Sequence, residues 1–233
     1  RRMEGVCVAA AQRDADGSNR RYHRQAIMRW LMEALRHAGR EQEIAAILVR
    51  EAEITHCYVE LVDHLLAAKQ DESAAEWARK GYERTVETLP GIAWSLEERL
   101  RDLAARKKNW PLVAAFRAME FFHQPDVERY AALQKATASL GLWDTIRPLL
   151  LGWLETGARP DELPAAKTPR RGRRKASLSA QATPKAPWPL PPTGLLVPGE
   201  EGRYRFFPDT ATLIAIAIEE RRNDEVLRWY NHG

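Results

Sequence analysis

Apolar residues recur every three or four positions along most of the chain, and this spacing predicts amphipathic helices. The clearest examples lie in residues 41–87. Because 3.6 residues complete one helical turn, each set of apolar positions forms a stripe on one helix face. The three stripes are Ile44, Ile47, Leu48 and the aliphatic stem of Glu51; Tyr58, Leu61, Val62 and Leu65; and Ala74, Trp77, Ala78 and Gly81. No helix with one apolar face can bury it alone, so the pattern predicts helices stacked on their neighbours.

Turn and capping residues separate these helices. Gly39 is expected to end a helix over about residues 20–38. Thr55 and Asp71 are expected N-caps, because their side-chain oxygens can accept an otherwise unpaired backbone N–H. The first helix is expected to turn one apolar face inward, with Trp30 beside it. The members of that face are Ile27, Leu31, Ala34, Leu35 and Ala38.

The helical spacing continues in the second half of the chain. Pro90-Gly91 is expected to break the pattern, and Ser95 with Glu98 has the spacing of a capping box. Asn109 is a further expected cap, a helix is expected to begin at Asp209 or Thr210, and Asn223-Asp224 is expected to form a turn. Helices are predicted over about residues 95–107, 109–123, 125–140, 144–155 and 209–222.

The turns between paired helices recur at a nearly constant spacing. Their markers are Gly39, Gln70, Asn109, Gly141 and Asn223, which gives steps of 31, 39, 32 and 82 residues. A mean first spacing of about 34 residues is typical of helix–turn–helix repeats of the tetratricopeptide kind. The long last step equals one repeat plus an insertion. The sequence therefore predicts an all-α fold: a degenerate tetratricopeptide-like α-solenoid of stacked antiparallel helix pairs, interrupted by an insertion.

Composition changes abruptly after residue 156. Residues 157–203 hold nine of the 14 prolines, and residues 165–187 carry seven basic residues and no acid. The basic residues are Lys167, Arg170, Arg171, Arg173, Arg174, Lys175 and Lys185. Without them, 29 basic residues stand against 32 acids, so the chain's net charge of +4 comes from this one segment. We predict a mostly disordered linker whose Trp188 and residues 195–197 fold back onto the helices.

These boundaries give a predicted domain organisation. Residues 1–18 are predicted to be a loop or poorly ordered start, and residues 19–156 the helical-repeat solenoid. Residues 157–207 form the basic, proline-rich linker, and residues 208–233 a further, truncated helix pair. Because the chain starts with Arg and stops inside a helical pattern, we expect it to be an excerpt of a longer protein.

Several residues carry chemistry that has both a functional and a structural interpretation. Cys57 and His64 share a helix face, but a metal site needs three or four converging ligands, so packing is the favoured interpretation. The acids Glu97, Glu98 and Asp102 are typical of a helix start, where they favour the helix dipole. No catalytic motif is present, so the protein is expected not to be an enzyme and to need no cofactor of its own. Tryptophans are expected in the core, except Trp110 beside a turn.

The basic segment leaves several alternatives open. The residues Lys167, Arg170, Arg171, Arg173, Arg174 and Lys175 can contact nucleic-acid phosphates or an acidic partner, or form a solvated linker. Arg173 to Ser177 also has the form of a basophilic kinase site. The proline stretch 184–192 is either a ligand for an aromatic groove or a spacer.

The number of cysteines and the hydropathy of the chain predict where in the cell the protein acts. The two cysteines, Cys7 and Cys57, make no disulfide framework and indicate a reducing, cytoplasmic setting. No apolar run approaches the roughly 20 residues that a membrane helix needs.

Residues 51–85, together with NDEVLRWYNHG at the end of the chain, resemble the helical C-terminal region of bacterial SWIM zinc-finger proteins. The resemblance implies an upstream Cys-x-Cys…Cys-x-His finger that binds zinc in the parent protein and contacts DNA or protein. It also implies that this chain is the interaction scaffold. Cys7 and Cys57 have no Cys-x-Cys or Cys-x-His partner here, so no zinc ligand is assigned to any residue.

The expected function is therefore a non-enzymatic protein-interaction scaffold. Its groove, lined by the first helix of each pair, would hold a protein or peptide partner. The alternative is association with nucleic acid through the linker 167–185. No small-molecule substrate is expected.

Overall fold

The computed structural model describes residues 23–161, 188–195 and 206–231. Within these ranges the chain folds into helices joined by turns and irregular segments and contains no strand, so the all-α prediction is confirmed. The predicted start 1–18 and the basic residues 167–185 lie outside the described residues.

Ten α-helices and one short 3₁₀ helix make up the described part of the chain. Helix α1 covers residues 23–37, and the 3₁₀ helix is Glu41–Glu43. The remaining helices are α2 (Ile44–Thr55), α3 (Tyr58–Ala67), α4 (Asp71–Thr85), α5 (Pro90–Arg106), α6 (Trp110–His123), α7 (Val127–Ala138), α8 (Trp143–Thr156), α9 (Thr210–Glu219) and α10 (Asn223–Tyr230).

The helices belong to two compact units. The first unit contains α1 to α4 and most of α5, up to Leu103. In it α2 packs on α3, and α3 packs on α4. The second unit begins at Ala104 and contains α6 to α10. In it α6 packs on α7, α9 packs on α10, and α7, α8 and α9 contact one another. Within each unit, helices adjacent in sequence are therefore adjacent in space.

Five turns in the described chain share one backbone geometry. Each contains one residue in the left-handed region, with φ between +54° and +69°: Gly39, Lys69, Lys108, Gly141 and Arg221. The next residue's N–H donates to the carbonyl five positions back, at N···O distances of 2.8–3.0 Å. The bonds run from Arg40 to Leu35, Gln70 to Leu65, Asn109 to Ala104, Leu142 to Thr137 and Arg222 to Ala217. This is the bond of a Schellman motif, which satisfies a carbonyl that the helix end leaves unpaired.

The burial pattern repeats around these turns. The residue four positions before the left-handed residue is buried at all five turns: Leu35, Leu65, Ala104, Thr137 and Ala217. In three of them the residues five and nine positions after it are buried as well: Ile44 and Leu48, Ala74 and Ala78, and Ile146 and Leu150. The backbone turn and the buried position before it therefore recur along the described chain.

Several predicted helix boundaries are wrong. Thr55 ends α2 instead of capping α3, and its hydroxyl donates to the Glu51 carbonyl at 3.0 Å. Ser95 lies inside α5, which begins at Pro90, because a proline in the first turn lacks only an N–H that has no helical partner. Asn223 is the first residue of α10 and not part of a separate turn.

Other predicted boundaries are confirmed. The Asn109 side chain accepts the Leu112 N–H at 3.3 Å, and the Asp209 side chain accepts the Thr212 N–H at 3.1 Å. The predicted N-cap Asp71 is wrong by one position, because Asp71 is the first residue of α4 and Gln70 is its N-cap. In α8 the chain accepts Pro148 in the helix interior, which leaves one helical hydrogen bond unmade.

The buried face of α1 differs from the prediction. Met28, Met32 and Leu35 are buried, whereas Ile27 and Trp30 are 60% and 73% exposed. The helix carries two overlapping apolar stripes, and spacing alone does not choose between them. Two polar contacts to α2 accompany the observed face. Arg24 pairs with the buried Glu51 at 2.5 Å, and the Gln25 amide donates to the Thr55 carbonyl at 2.7 Å.

The core of the second unit is built on aromatic side chains. Trp153 is 2% exposed, and its ring centroid lies 4.9 Å from that of Phe122 and 5.8 Å from that of Phe121, both edge to face. Such geometry adds to the free energy of burying the rings. Tyr130 and Trp143 make a further edge-to-face pair at 5.1 Å.

Part of the predicted linker packs into this core. The Trp188 ring centroid lies 5.7 Å from that of Phe122, and Leu190 is buried. The expectation that Trp188 folds back onto the helices is confirmed, while residues 196 and 197 lie outside the described part. At the far end, Phe207 packs against the Cα of Gly157, and a hydrogen bond of 2.8 Å joins the Asp209 N–H to the Leu154 carbonyl.

Gly81 gives a prediction about packing between helices. A Cβ added there would lie 2.7 Å from both Leu96 Cδ1 and Tyr58 Cγ. Gly81→Ala is expected to lower the free energy of unfolding by about 1–2 kcal/mol, because overpacking outweighs the better helix propensity of alanine. Urea unfolding followed by circular dichroism measures the change.

Gly152 in α8 is the matched control, since nothing lies within 4 Å of an added Cβ. Gly152→Ala is therefore expected to raise the free energy of unfolding by about 0.5–1 kcal/mol. Equal stabilisation by both substitutions would contradict the close approach of α3 and α5 to Gly81.

Candidate functional site

A groove of about 530 Å³ opens between α1, α2 and α3 in the first unit. Its floor is apolar, because Met32 of α1 and Ile44 and Leu48 of α2 are almost fully buried beneath it. Ala67 and Ala68, at the end of α3, line one side, and their small side chains leave the space open. The groove thus offers a concave apolar surface of the size that small ligands and side chains occupy.

Ionisable side chains form the rim of the groove: Arg36, Glu41, Glu60, Asp63 and His64. Two of them are already engaged. The Arg36 guanidinium pairs with Glu33 at 3.1 Å, and both oxygens of Asp63 accept from Arg99 at 3.0 and 3.1 Å. Within the described part of the chain, Glu41 and Glu60 make no ion pair. Two carboxylates that make no ion pair with a described residue therefore lie beside an apolar floor.

The surrounding unit is acidic as a whole. The chain from residue 1 to residue 103 contains 18 Asp and Glu against 16 Lys and Arg, a net charge of −2 with histidines neutral. Because summed charge attracts ions of opposite sign toward a cleft, this unit favours a cationic partner.

Local contacts hold the groove walls in place. The left-handed turn at Gly39 leads into the 3₁₀ helix that carries Glu41, and Arg40 pairs with Glu43 at 2.6 Å. The Arg24 pair with Glu51 fixes α1 against α2. Hydrogen bonding by Arg24 lowers the pKa of Glu51 from its usual value and outweighs the opposing effect of burial.

Cys57 and His64 lie in different surroundings. Cys57 is buried, its thiol contacts the Leu48 carbonyl at 3.8 Å, and burial raises the pKa of the thiol. His64 instead lies on the groove rim. In the ranges that the structure describes, no group of three or more His, Cys, Asp or Glu side chains is placed to hold a metal ion.

The other predicted sites lie elsewhere. Glu97 is buried in α5, whereas Glu98 and Asp102 pair with Arg101 at 3.2 and 3.3 Å. The candidate contact residues 167–175 lie outside the described residues. Trp110 is half exposed, as predicted. Sequence reasoning missed the rim carboxylates Glu41 and Glu60.

Comparison with known proteins adds no family to this description. No family model matches the chain, and no curated protein or solved structure is significantly similar to it. Among the described helices, none is both long and apolar enough to cross a bilayer.

Proposed function

We propose that the protein is a non-enzymatic interaction scaffold that holds a peptide segment of a partner protein in the α1–α3 groove. In this proposal the repeated hairpins stack into a tetratricopeptide-like solenoid, and the protein acts in the cytoplasm. One observation carries it: the apolar-floored groove lies between α1 and α3, the first helices of two successive hairpins.

The chemistry of the groove supports binding over catalysis. Its floor consists of methionine, isoleucine and leucine side chains, which bury apolar partner atoms favourably. A reacting site would need a nucleophile or base within reach of a positioned partner group. The rim carboxylates Glu41 and Glu60 lie on different elements beside an apolar floor, an arrangement that suits recognition.

A groove-filling substitution tests the proposal. Ala67→Trp places a large side chain in the groove without removing a buried group, and it is expected to abolish partner retention in pull-downs from source-cell lysate. Ala34→Trp, on an exposed position of α1 outside the groove, is the matched control and should retain the same partners. If both variants retain every specific partner identified by mass spectrometry, the groove is not the binding surface.

A second candidate function is nucleic-acid association through the basic segment. It is favoured by the seven basic residues, without an acid, in residues 165–187. A protein that uses six or more phosphate contacts loses about 10³-fold or more in affinity between 50 and 200 mM salt. We expect any DNA or RNA binding to show this salt dependence and to vanish when residues 165–187 are deleted, as measured by fluorescence anisotropy. Binding that survives the deletion would exclude the segment as its source.

We also propose that the chain is the helical region of a SWIM zinc-finger protein. The support is the resemblance of residues 51–85 and 223–233. In that case zinc is bound by a finger outside these residues. Metal analysis tests this, since stoichiometric zinc on the chain of 233 residues alone would contradict it.

A further inference from the structure

We propose that the α1–α3 groove selects peptide segments in which an apolar side chain is flanked by lysine or arginine. This inference rests on the proposed function and names the chemistry of its partner. The apolar side chain would enter the groove, and the flanking cations would pair with Glu41 and Glu60.

The apolar anchor is required by the floor. Met32, Ile44 and Leu48 present carbon atoms to the groove, and a polar group placed over them would lose its hydrogen bonds to water without replacement. A volume of about 530 Å³ accommodates a large aliphatic or aromatic side chain together with its neighbouring backbone. The floor therefore favours one or two apolar residues of the partner.

The cationic flanks are required by the rim. Glu41 and Glu60 are exposed and make no ion pair among the described residues, whereas the one rim arginine, Arg36, already pairs with Glu33. A Lys or Arg side chain of the partner can form an ion pair with these carboxylates, whereas an Asp or Glu side chain would be repelled by them. Electrostatic complementarity of this kind sets specificity and association rate.

The charge of the first unit indicates which kind of molecule can bind in the α1–α3 groove. Residues 1–103 carry a net charge of −2, and the groove itself is lined by three carboxylates and one guanidinium, so nucleic-acid phosphates are repelled from it. The first unit of a second copy carries the same negative charge and is disfavoured for the same reason. A basic and apolar peptide segment is the occupant that satisfies both the floor and the rim.

Three labelled peptides of 12 residues test the inference by fluorescence anisotropy with the full chain. The first contains leucines flanked by lysine and arginine, the second replaces those cations with glutamate, and the third replaces the leucines with alanine. We expect the first to bind at least about 10-fold more tightly than either of the others.

Reversing the charge of Glu41 and Glu60 tests whether these two residues contact the cations of the peptide. The double variant E41K/E60K is expected to weaken binding of the first peptide about 10-fold and to make its binding less sensitive to salt. The double variant E72K/E76K changes the net charge equally at exposed positions of α4 outside the groove, and it should change affinity less than about threefold.

The outcomes separate this inference from the proposed function. If Ala67→Trp blocks all three peptides but they bind the unmodified chain equally, the groove binds peptides without selecting charge, and this inference is wrong. If no peptide binds at 1 mM, the inference is also overturned, and loss of lysate partners on Ala67→Trp then decides the proposed function separately. If deletion of residues 165–187 tightens binding, the chain's own basic segment occupies the groove and the partner assigned here is wrong.

Discussion

Replacing Trp153 with alanine is expected to lower the free energy of unfolding by about 3–5 kcal/mol, because it removes the largest fully buried side chain of the second unit. The indole contacts Phe121 and Phe122 edge to face and lies 6.1 Å from Phe207, so its loss leaves a cavity bounded by rigid rings. Rings of this kind cannot collapse into the space, which places the cost toward the upper end of that range. Urea unfolding followed by far-ultraviolet circular dichroism measures it.

Trp30 provides the control for this experiment. It is 73% exposed on α1, so Trp30→Ala is expected to change the free energy of unfolding by less than about 0.5 kcal/mol. The comparison also tests the buried face of α1, since a large loss at Trp30 would mean that the predicted face is the one buried in solution.

Replacing Glu220 with glutamine is expected to lower the free energy of unfolding by about 2 kcal/mol. Glu220 joins three elements of the second unit: it accepts the Tyr130 hydroxyl at 2.7 Å and Arg147 Nε at 2.8 Å, and a second Arg147 nitrogen contacts its other oxygen. Glutamine removes the charge but keeps the shape. The half-buried Arg147 guanidinium then lacks its counter-charge, which costs more than an ordinary hydrogen bond.

The Glu220 pair should also make stability depend on pH. Burial alone would raise the pKa of Glu220, but hydrogen bonds from Arg147 and Tyr130 outweigh it and hold the pKa below its usual value. A glutamate of the unfolded chain titrates near about 4.3, so at pH values just below this the unfolded state binds more protons. The contribution is therefore complete above about pH 5 and is lost as pH falls through the folded-state pKa.

A pH series of unfolding experiments distinguishes this effect from general acid denaturation. Between pH 5 and pH 3 the difference in stability between the unmodified protein and Glu220→Gln should shrink. Glu219→Gln, an exposed neighbour, should parallel the unmodified protein throughout. A constant difference for Glu220→Gln would show that its pKa is not lowered by folding.

Helix positions were predictable because apolar spacing records which side faces a neighbour. Turn positions were predictable only where the sequence carries residues suited to them, such as Gly39 and Gly141. Lys69, Lys108 and Arg221 occupy the same left-handed position in their turns. Lysine and arginine have no preference for this conformation and adopt it at a modest energetic cost, so the sequence does not indicate these turns. The backbone geometry of these five turns is therefore more regular than their sequences.

The buried face of α1 was not predictable for a different reason. Ile27 and Leu31 form as good a helical stripe as Met28 and Met32, and a contact 27 residues away, Arg24 with Glu51, accompanies the choice between them. Ser95 was misread because a capping box is a local pattern, whereas α5 had already begun at Pro90.

The groove could not be predicted from the sequence, because the residues that line it are separated along the chain. Glu41 and Glu60 stand on different elements, and their relation to the apolar floor depends on how α1, α2 and α3 pack. The small pair Ala67-Ala68 at the end of α3 was the available signal. The basic segment 167–175 stays a prediction, since those residues lie outside the described part.

The residues that flank the insertion between α8 and α9 contact each other, and these contacts bear on how the insertion can change in evolution. Phe207 packs against Gly157, and the Asp209 N–H is bonded to the Leu154 carbonyl, so α9 is placed on α8 by contacts that lie beside the insertion. Closing a longer loop costs little, about 0.6 kcal/mol for each doubling of its length. Changes in the length of the chain between residues 162 and 187 should therefore leave α8 and α9 in place, while Trp188 and Leu190, which fill the core, should stay apolar among descendants.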